Sequence, residues 1–156
     1  MLWLCRVMPV IRPAVYLYSS LRRGVTLGAR GVVTDAAGRV LLVEHTYVPG
    51  WYLPGGGVER RELAEQALCR ELVEEAGVAV IGRPRLVSIH SNDNKHPGDH
   101  VLIYRVEEWT PCTATSRGEI HALDWFSPDA LPANVTPATR RRIEEALGGG
   151  EPDAWW

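Results

Sequence analysis

Three carboxylates stand at Glu71, Glu74 and Glu75, a spacing of i, i+3 and i+4. On a helix that turns about 100° per residue they fall within an arc of roughly 100° on one face. Two such charges about 6 Å apart repel by roughly 2–3 kcal/mol at an effective dielectric near 20, so a cleft-facing cluster calls for a divalent cation or ample water. An all-oxygen donor set suits Mg²⁺ or Mn²⁺ better than zinc. The same face runs back through Ala64 and Ala67, while Leu68, Leu72 and Ala76 form an adjoining apolar stripe. The acidic face therefore borders a core.

Ahead of this segment, Gly55, Gly56 and Gly57 offer a backbone with no Cβ in the way. Such a run can approach a ligand closely and present N–H groups near a helix start, where phosphate is favoured. Backbone donors and cations together can hold a diphosphate that a net-acidic chain would otherwise repel. Arg70 is placed to neutralise Glu62 and clamp the loop to the helix, Arg30 to grip phosphate, and Tyr52 to stack on a base. For Tyr47, Trp51 and Tyr52, packing at the core or rim is the competing reading. Cys69 lies outside the acidic arc and reads as packing rather than as a nucleophile.

Gly56-x5-Glu62-x7-Arg70-Glu71-Leu72-x-Glu74-Glu75-x-Gly77-Val78 resembles the 23-residue Nudix box at all nine defined positions. Chance agreement of that kind has a probability of about 10⁻⁷ at average residue usage. The resemblance implies an α/β fold, a Nudix-type α/β/α sandwich with a mixed, largely antiparallel sheet between helices. It further implies a pyrophosphohydrolase that acts on a small nucleotide, a nucleoside diphosphate linked to another group. Glu71, Glu74 and Glu75 then bind the divalent cation, and Arg70 and Glu62 fix the loop against the helix. The acid that activates water is either a box glutamate such as Glu71 or a later one, and Glu119 occupies a similar later place. Two alternatives share the resemblance: a catalytically silent nucleotide-binding module, and removal of pyrophosphate from the 5′ end of RNA.

These residues need elements to carry them. Residues 62–76 contain neither Gly nor Pro and end at Gly77, which predicts a helix. Runs 25–34 and 40–45 read as two strands joined by an Asp-Gly turn, an expected antiparallel hairpin. The stretch 47–57 holds too many Gly and Pro residues for a helix and reads as a shaped loop, with a brief strand at 51–53. Residues 85–91, 101–107 and 120–126 alternate as strands, and Thr136-Pro137 opens a second helix to about Leu147. His90, His96 and His100 frame residues 91–99, but Pro97 and Gly98 break any helical metal spacing, so a polar loop rimming a cleft is expected. The run Arg140, Arg141, Arg142 reads as a solvated face.

The chain has 156 residues, 46% hydrophobic and 23% charged, which suits one globular domain with a core of its own and excludes disorder. It divides into a basic arm with a short helix (1–24), the main domain (25–150) and a tail (151–156). Seventeen basic against 19 acidic residues disfavour a nucleic-acid backbone as the main partner. No apolar run is long enough to span a membrane. Three cysteines without C-x-x-C spacing exclude a disulfide framework and a zinc ribbon and point to a reducing, cytoplasmic setting. Trp155 and Trp156 either pack back on the domain or sit in a homodimer contact.

Overall fold

The computed structural model describes residues 24–115 and 118–156. The helix expected within the basic arm lies outside the described residues. The elements run β1 (Thr26–Val33), β2 (Val40–His45), β3 (Trp51–Tyr52), β4 (Gly55–Gly57), α1 (Ala64–Ala76), β5 (Val78–Val80) and β6 (Arg85–Ser91). They continue with β7 (Asp99–Val106), β8 (Trp109–Pro111), β9 (Ile120–Phe126), a 3₁₀ turn (Pro128–Ala130) and α2 (Pro137–Ala146). A mixed sheet has the order β4-β1-β7-β6, in which only β1 and β7 are parallel, and an antiparallel sheet has the order β3-β2-β9. β5 pairs with β8.

Alternation along the strands sorts side chains between two helix layers. On β1 and β2, Ala29, Val33 and Leu41 join Leu68 and Leu72 of α1 in one buried cluster, while Val32, Val40 and Leu42 join Ile143 of α2 in another. This is an α/β/α sandwich. Burying Leu68 and Leu72 completely stabilises it by about 1.5–3 kcal/mol each. Gly31 makes that approach feasible, since a Cβ there would stand 3.2 Å from Leu68 Cδ1. α1 stops at Gly77, whose φ of 63° is left-handed and whose N–H closes on Val73 O at 3.2 Å.

Two expectations need correction. The turn between β1 and β2 forms as read: Asp35 Oδ1 accepts from Ala37 N–H at 2.9 Å and from Arg39 N–H at 2.8 Å, and Gly38 has φ 75°. The strands do not pair, however, beyond a single bridge between Thr34 and Val40. Both edges of β1 are taken by β4 and β7, and both edges of β2 by β3 and β9, so the two strands part into different sheets. The three glycines are likewise a strand rather than a loop, with Gly55, Gly56 and Gly57 opposite Arg30, Ala29 and Gly28. Among the described residues, no helix is long and apolar enough to cross a membrane.

Candidate active site

Arg70 on α1 ties three parts of the chain together. Its Nε donates to Glu62 Oε1 at 3.0 Å and its Nη2 to Glu62 Oε2 at 3.2 Å. Nη2 also donates to the Gly57 carbonyl at 3.2 Å, and Nη1 to Glu71 Oε1 at 2.7 Å. Glu62 in turn accepts from Glu59 N–H at 2.9 Å. The Arg70 guanidinium holds the Glu62 carboxyl below the usual carboxylate range, and the two carboxylates hold Arg70 protonated. A bidentate, charge-assisted fork of this kind fixes direction as well as distance. The linker between the glycine strand and α1 is therefore clamped.

The helix delivers its acids unevenly. Glu75 is only 9% exposed, with Oε2 accepting from Gly55 N–H at 2.9 Å. Burial pushes its carboxyl up to about 7, the Gly55 N–H and Arg30 oppose that, and Glu71 and Glu119 add to it. Glu71 and Glu119 thus both act on Glu75 electrostatically, although Glu119 sits in an exposed turn before β9. Glu74 points outward, 42% exposed, with Oε2 3.6 Å from Arg70 Nη1. Arg30 donates from Nη1 to the Gly55 carbonyl, so it braces the glycine strand from the side opposite Glu75.

The glycines at 55 and 56 are required for different reasons. A Cβ on Gly55, whose φ is 132°, would stand 2.2 Å from the Ala29 carbonyl oxygen, a collision with backbone. A Cβ on Gly56 would stand 2.3 Å from Glu71 Oε1, a collision with the mobile end of a side chain. Gly56→Ala is therefore expected to keep its melting temperature within a few degrees while losing about 10²-fold in turnover, because it displaces one carboxylate. Gly55→Ala is expected to destabilise the fold by about 2–4 kcal/mol. Thermal melts and initial rates on the two variants check this; equal melting temperatures for both would refute it.

In donor type the cluster suits a hard divalent ion: carboxylate oxygens only, with the Glu75 carboxyl driven upward by burial and, less, by its acidic neighbours. Among the described residues, no three acidic, imidazole or thiol side chains converge into a closed ligand shell as they stand, because Glu71 and Glu74 lean on Arg70. His45, absent from the residues singled out above, has a buried Nδ1 without a hydrogen-bond partner, 4.0 Å from Glu75 Oε1. Burial holds its imidazole below the usual range. Burial likewise pushes the Cys69 thiol up, away from a nucleophile.

A cavity of about 350 Å³ opens across the glycine strand from these acids. Arg30, Tyr52, Gly56 and Gly57 line it, while Gly55, Glu71, Glu74 and Glu75 do not. Gly56 and Gly57 border both regions, since Glu71 packs on one and Arg70 bonds the other. Asn92, His96 and Asp99 form a polar edge, which places the 91–99 loop at the cleft rim. Asn92 Nδ2 donates to Asp99 Oδ2 at 2.8 Å and Thr26 Oγ1 to Asp99 Oδ1 at 2.7 Å. Thr139 and Trp156 also line it and were not among the expected site residues. The segment carrying Trp155 and Trp156 packs back onto the domain, with Trp156 N–H donating to the Ser91 carbonyl at 2.9 Å.

The arginine run departs from the expected solvated face. Arg140 and Arg141 are exposed, but Arg142 is completely buried. Its Nη2 lies 2.7 Å from Glu145 Oε1, an ion pair by distance although not aligned as a hydrogen bond, and Nη1 contacts His90 Nδ1 and donates to the Trp155 carbonyl at 3.1 Å. His90 is buried as well, with Nε2 2.7 Å from Ser88 Oγ and Nδ1 2.6 Å from the Asp153 carbonyl.

Several known proteins are similar to this chain in sequence and fold. The family model for the NUDIX domain matches residues 25–146. A Bacillus subtilis protein provisionally named an 8-oxo-dGTP diphosphatase is 31% identical over 127 residues, 81% of this chain and 83% of its own length. Mouse diphosphoinositol polyphosphate phosphohydrolase 3-alpha is 33% identical over 122 residues, 72% of this chain and 71% of its own. The crystal structure of a MutT NUDIX hydrolase from Burkholderia pseudomallei superposes with a TM-score of 0.66 at 30% identity, covering 77% of this chain and 96% of that one. A Streptococcus suis ADP-ribose pyrophosphatase shares the fold at the same TM-score and 22% identity, covering 84% of this chain and 96% of that one.

Proposed function

We propose that this chain, which belongs to the NUDIX family over residues 25–146, hydrolyses the diphosphate linkage of a small nucleotide in the presence of Mg²⁺ or Mn²⁺. The observation that carries the reading is the Arg70 fork, which joins Glu62, the Gly57 carbonyl and Glu71 at the edge of a nucleoside-sized cleft. Glu71, Glu74 and Glu75 would hold the cation, which supplies Lewis acidity and makes water more acidic. Gly55, Gly56 and Gly57 let the diphosphate pass close to the backbone, and Arg30 offsets its charge from the other side of β4. Glu119 takes a proton from the attacking water as a P–O bond forms and the bridging P–O bond breaks. Arg70 and Glu62 act as positioning residues, and Tyr52 supplies an aromatic wall. We assign the protein to a reducing, cytoplasmic setting, a reading supported by Cys69 and Cys112, which form no disulfide among the described residues.

Nucleoside triphosphates and nucleotide-linked sugars are the two substrate types to compare. Purified protein with a panel of both, in ¹⁸O-labelled water, is expected to release a nucleoside monophosphate with one labelled oxygen in one of the two products, and the labelled product identifies the phosphorus attacked. Chelation of divalent ions with EDTA is expected to lower the rate at least about 10²-fold. Thermal stabilisation by nucleotides without any product would overturn hydrolysis in favour of a sensing role.

A further inference from the structure

Three buried polar side chains bond the backbone of the segment 151–156. His90 reaches the Asp153 carbonyl, Arg142 donates to the Trp155 carbonyl, and Glu145 Oε1 accepts from Asp153 N–H at 3.2 Å. Ser91 adds a backbone pair, donating to the Ala154 carbonyl at 2.9 Å and accepting from Trp156 N–H. Withdrawing an arginine, a histidine and a glutamate from water is costly, and bonds to this segment offset part of that cost. Such an arrangement fixes whatever the segment carries.

What it carries into the cleft is Trp156. The Arg142 guanidinium lies 5.9 Å from the centre of the indole, and the His90 ring lies 6.2 Å from it. Both groups are fully buried, so they hold the indole from its inner side. Tyr52 lines the same cavity, and the Asn92–Asp99 pair supplies a hydrogen-bonding edge. A planar wall beside a polar edge, in a space at the small end of the about 300–1,000 Å³ typical of ligand sites, matches an aromatic heterocycle.

We infer that Trp156 contacts the base of the nucleotide, its indole stacking on the heterocycle while the phosphates lie toward Gly56 and Gly57. The inference rests on the hydrolase reading for the identity of the site and adds the group that selects a nucleotide over a bare polyphosphate.

Isothermal titration with α,β-methylene nucleoside triphosphates and with inorganic tripolyphosphate, both in Mg²⁺, tests it on the full chain. Trp156→Ala is expected to raise the nucleotide Kd about 10- to 100-fold, the loss of one base–aromatic stack, while the tripolyphosphate Kd moves less than about twofold. Trp156→Phe keeps an aromatic face and is expected to retain the nucleotide Kd within about threefold, but to lose part of the nucleotide-induced quenching of tryptophan fluorescence. Equal weakening of both ligands, an unmoved nucleotide Kd in Trp156→Ala, or no preference for nucleotide in the parent protein would overturn the inference. Nucleotide preference in the titration with no nucleoside monophosphate formed from the unmodified nucleotides would overturn the hydrolase reading alone.

Discussion

Glu75→Gln is expected to lower kcat by about 10³-fold and yet to leave a protein more heat-stable than its parent at pH 8. The substitution keeps shape and keeps an oxygen to accept from Gly55 N–H, so the glycine strand stays where it is. It removes one charge from the proposed cation site, and that charge is the one the fold tolerates least. Burial, aided by Glu71 and Glu119, raises the Glu75 carboxyl from 4.5 to about 7. A carboxyl raised on folding contributes stability that is fully present below the unfolded value and is lost as pH rises through the folded one. In EDTA-treated protein the ionised parent should therefore be weaker than the variant by on the order of 2–3 kcal/mol above pH 7. That corresponds to a gap of about 5–10 °C in Tm, closing as pH falls from about 7 to 4.5. Saturating Mg²⁺ should narrow the gap at pH 8 by stabilising the parent. Unchanged turnover at saturating Mg²⁺ would remove Glu75 from the proposed set, and a gap equal at pH 5 and pH 8 would defeat the electrostatic argument.

That opposition between activity and stability explains why the site is legible in sequence. A function that needs charge against a core must keep acids at helical spacing beside small and apolar residues, and Glu71, Glu74 and Glu75 beside Ala67, Leu68 and Leu72 display that pattern. Long uninterrupted elements were equally readable: the helix over 64–76 follows from a stretch without Gly or Pro that stops at Gly77, and the strand over 40–45 from its β-rich apolar run. What sequence did not show depends on pairing across the chain. β5 and β8 have three residues each, too few for a period, and become strands because each has the other as partner. The glycine run has no strand preference of its own and is ordered by β1. The parallel match of β1 with β7 joins residues about 70 positions apart. Arg142 did leave a trace: Ala138 and Ala146 stand four residues on either side of it, and both are buried. Small neighbours above and below a long side chain on a core-facing stripe leave the space that its guanidinium fills.

Arg142→Met should accordingly be the most destabilising of the single substitutions considered. The parent side chain is fully buried, and the Glu145 carboxylate facing it is only 7% exposed. Removing one member of a buried pair leaves the other charged and unpaired, which costs about 3–5 kcal/mol, or about 10 °C or more in Tm for a domain of this size. Methionine fills much of the volume of the arginine stem, so a cavity accounts for little of that loss. The charge argument makes a second, sharper demand. The double variant Arg142→Met with Glu145→Met removes both charges, and should recover most of the stability despite two substitutions in place of one. It should still lack the bonds to Asp153 and Trp155, so its affinity for nucleotides should stay below the parent's even where its Tm does not. Thermal melts of the four proteins in the cycle supply the coupling energy. A double variant no more stable than Arg142→Met alone would mean that the arginine acts through packing or through the segment it holds, and not through its charge.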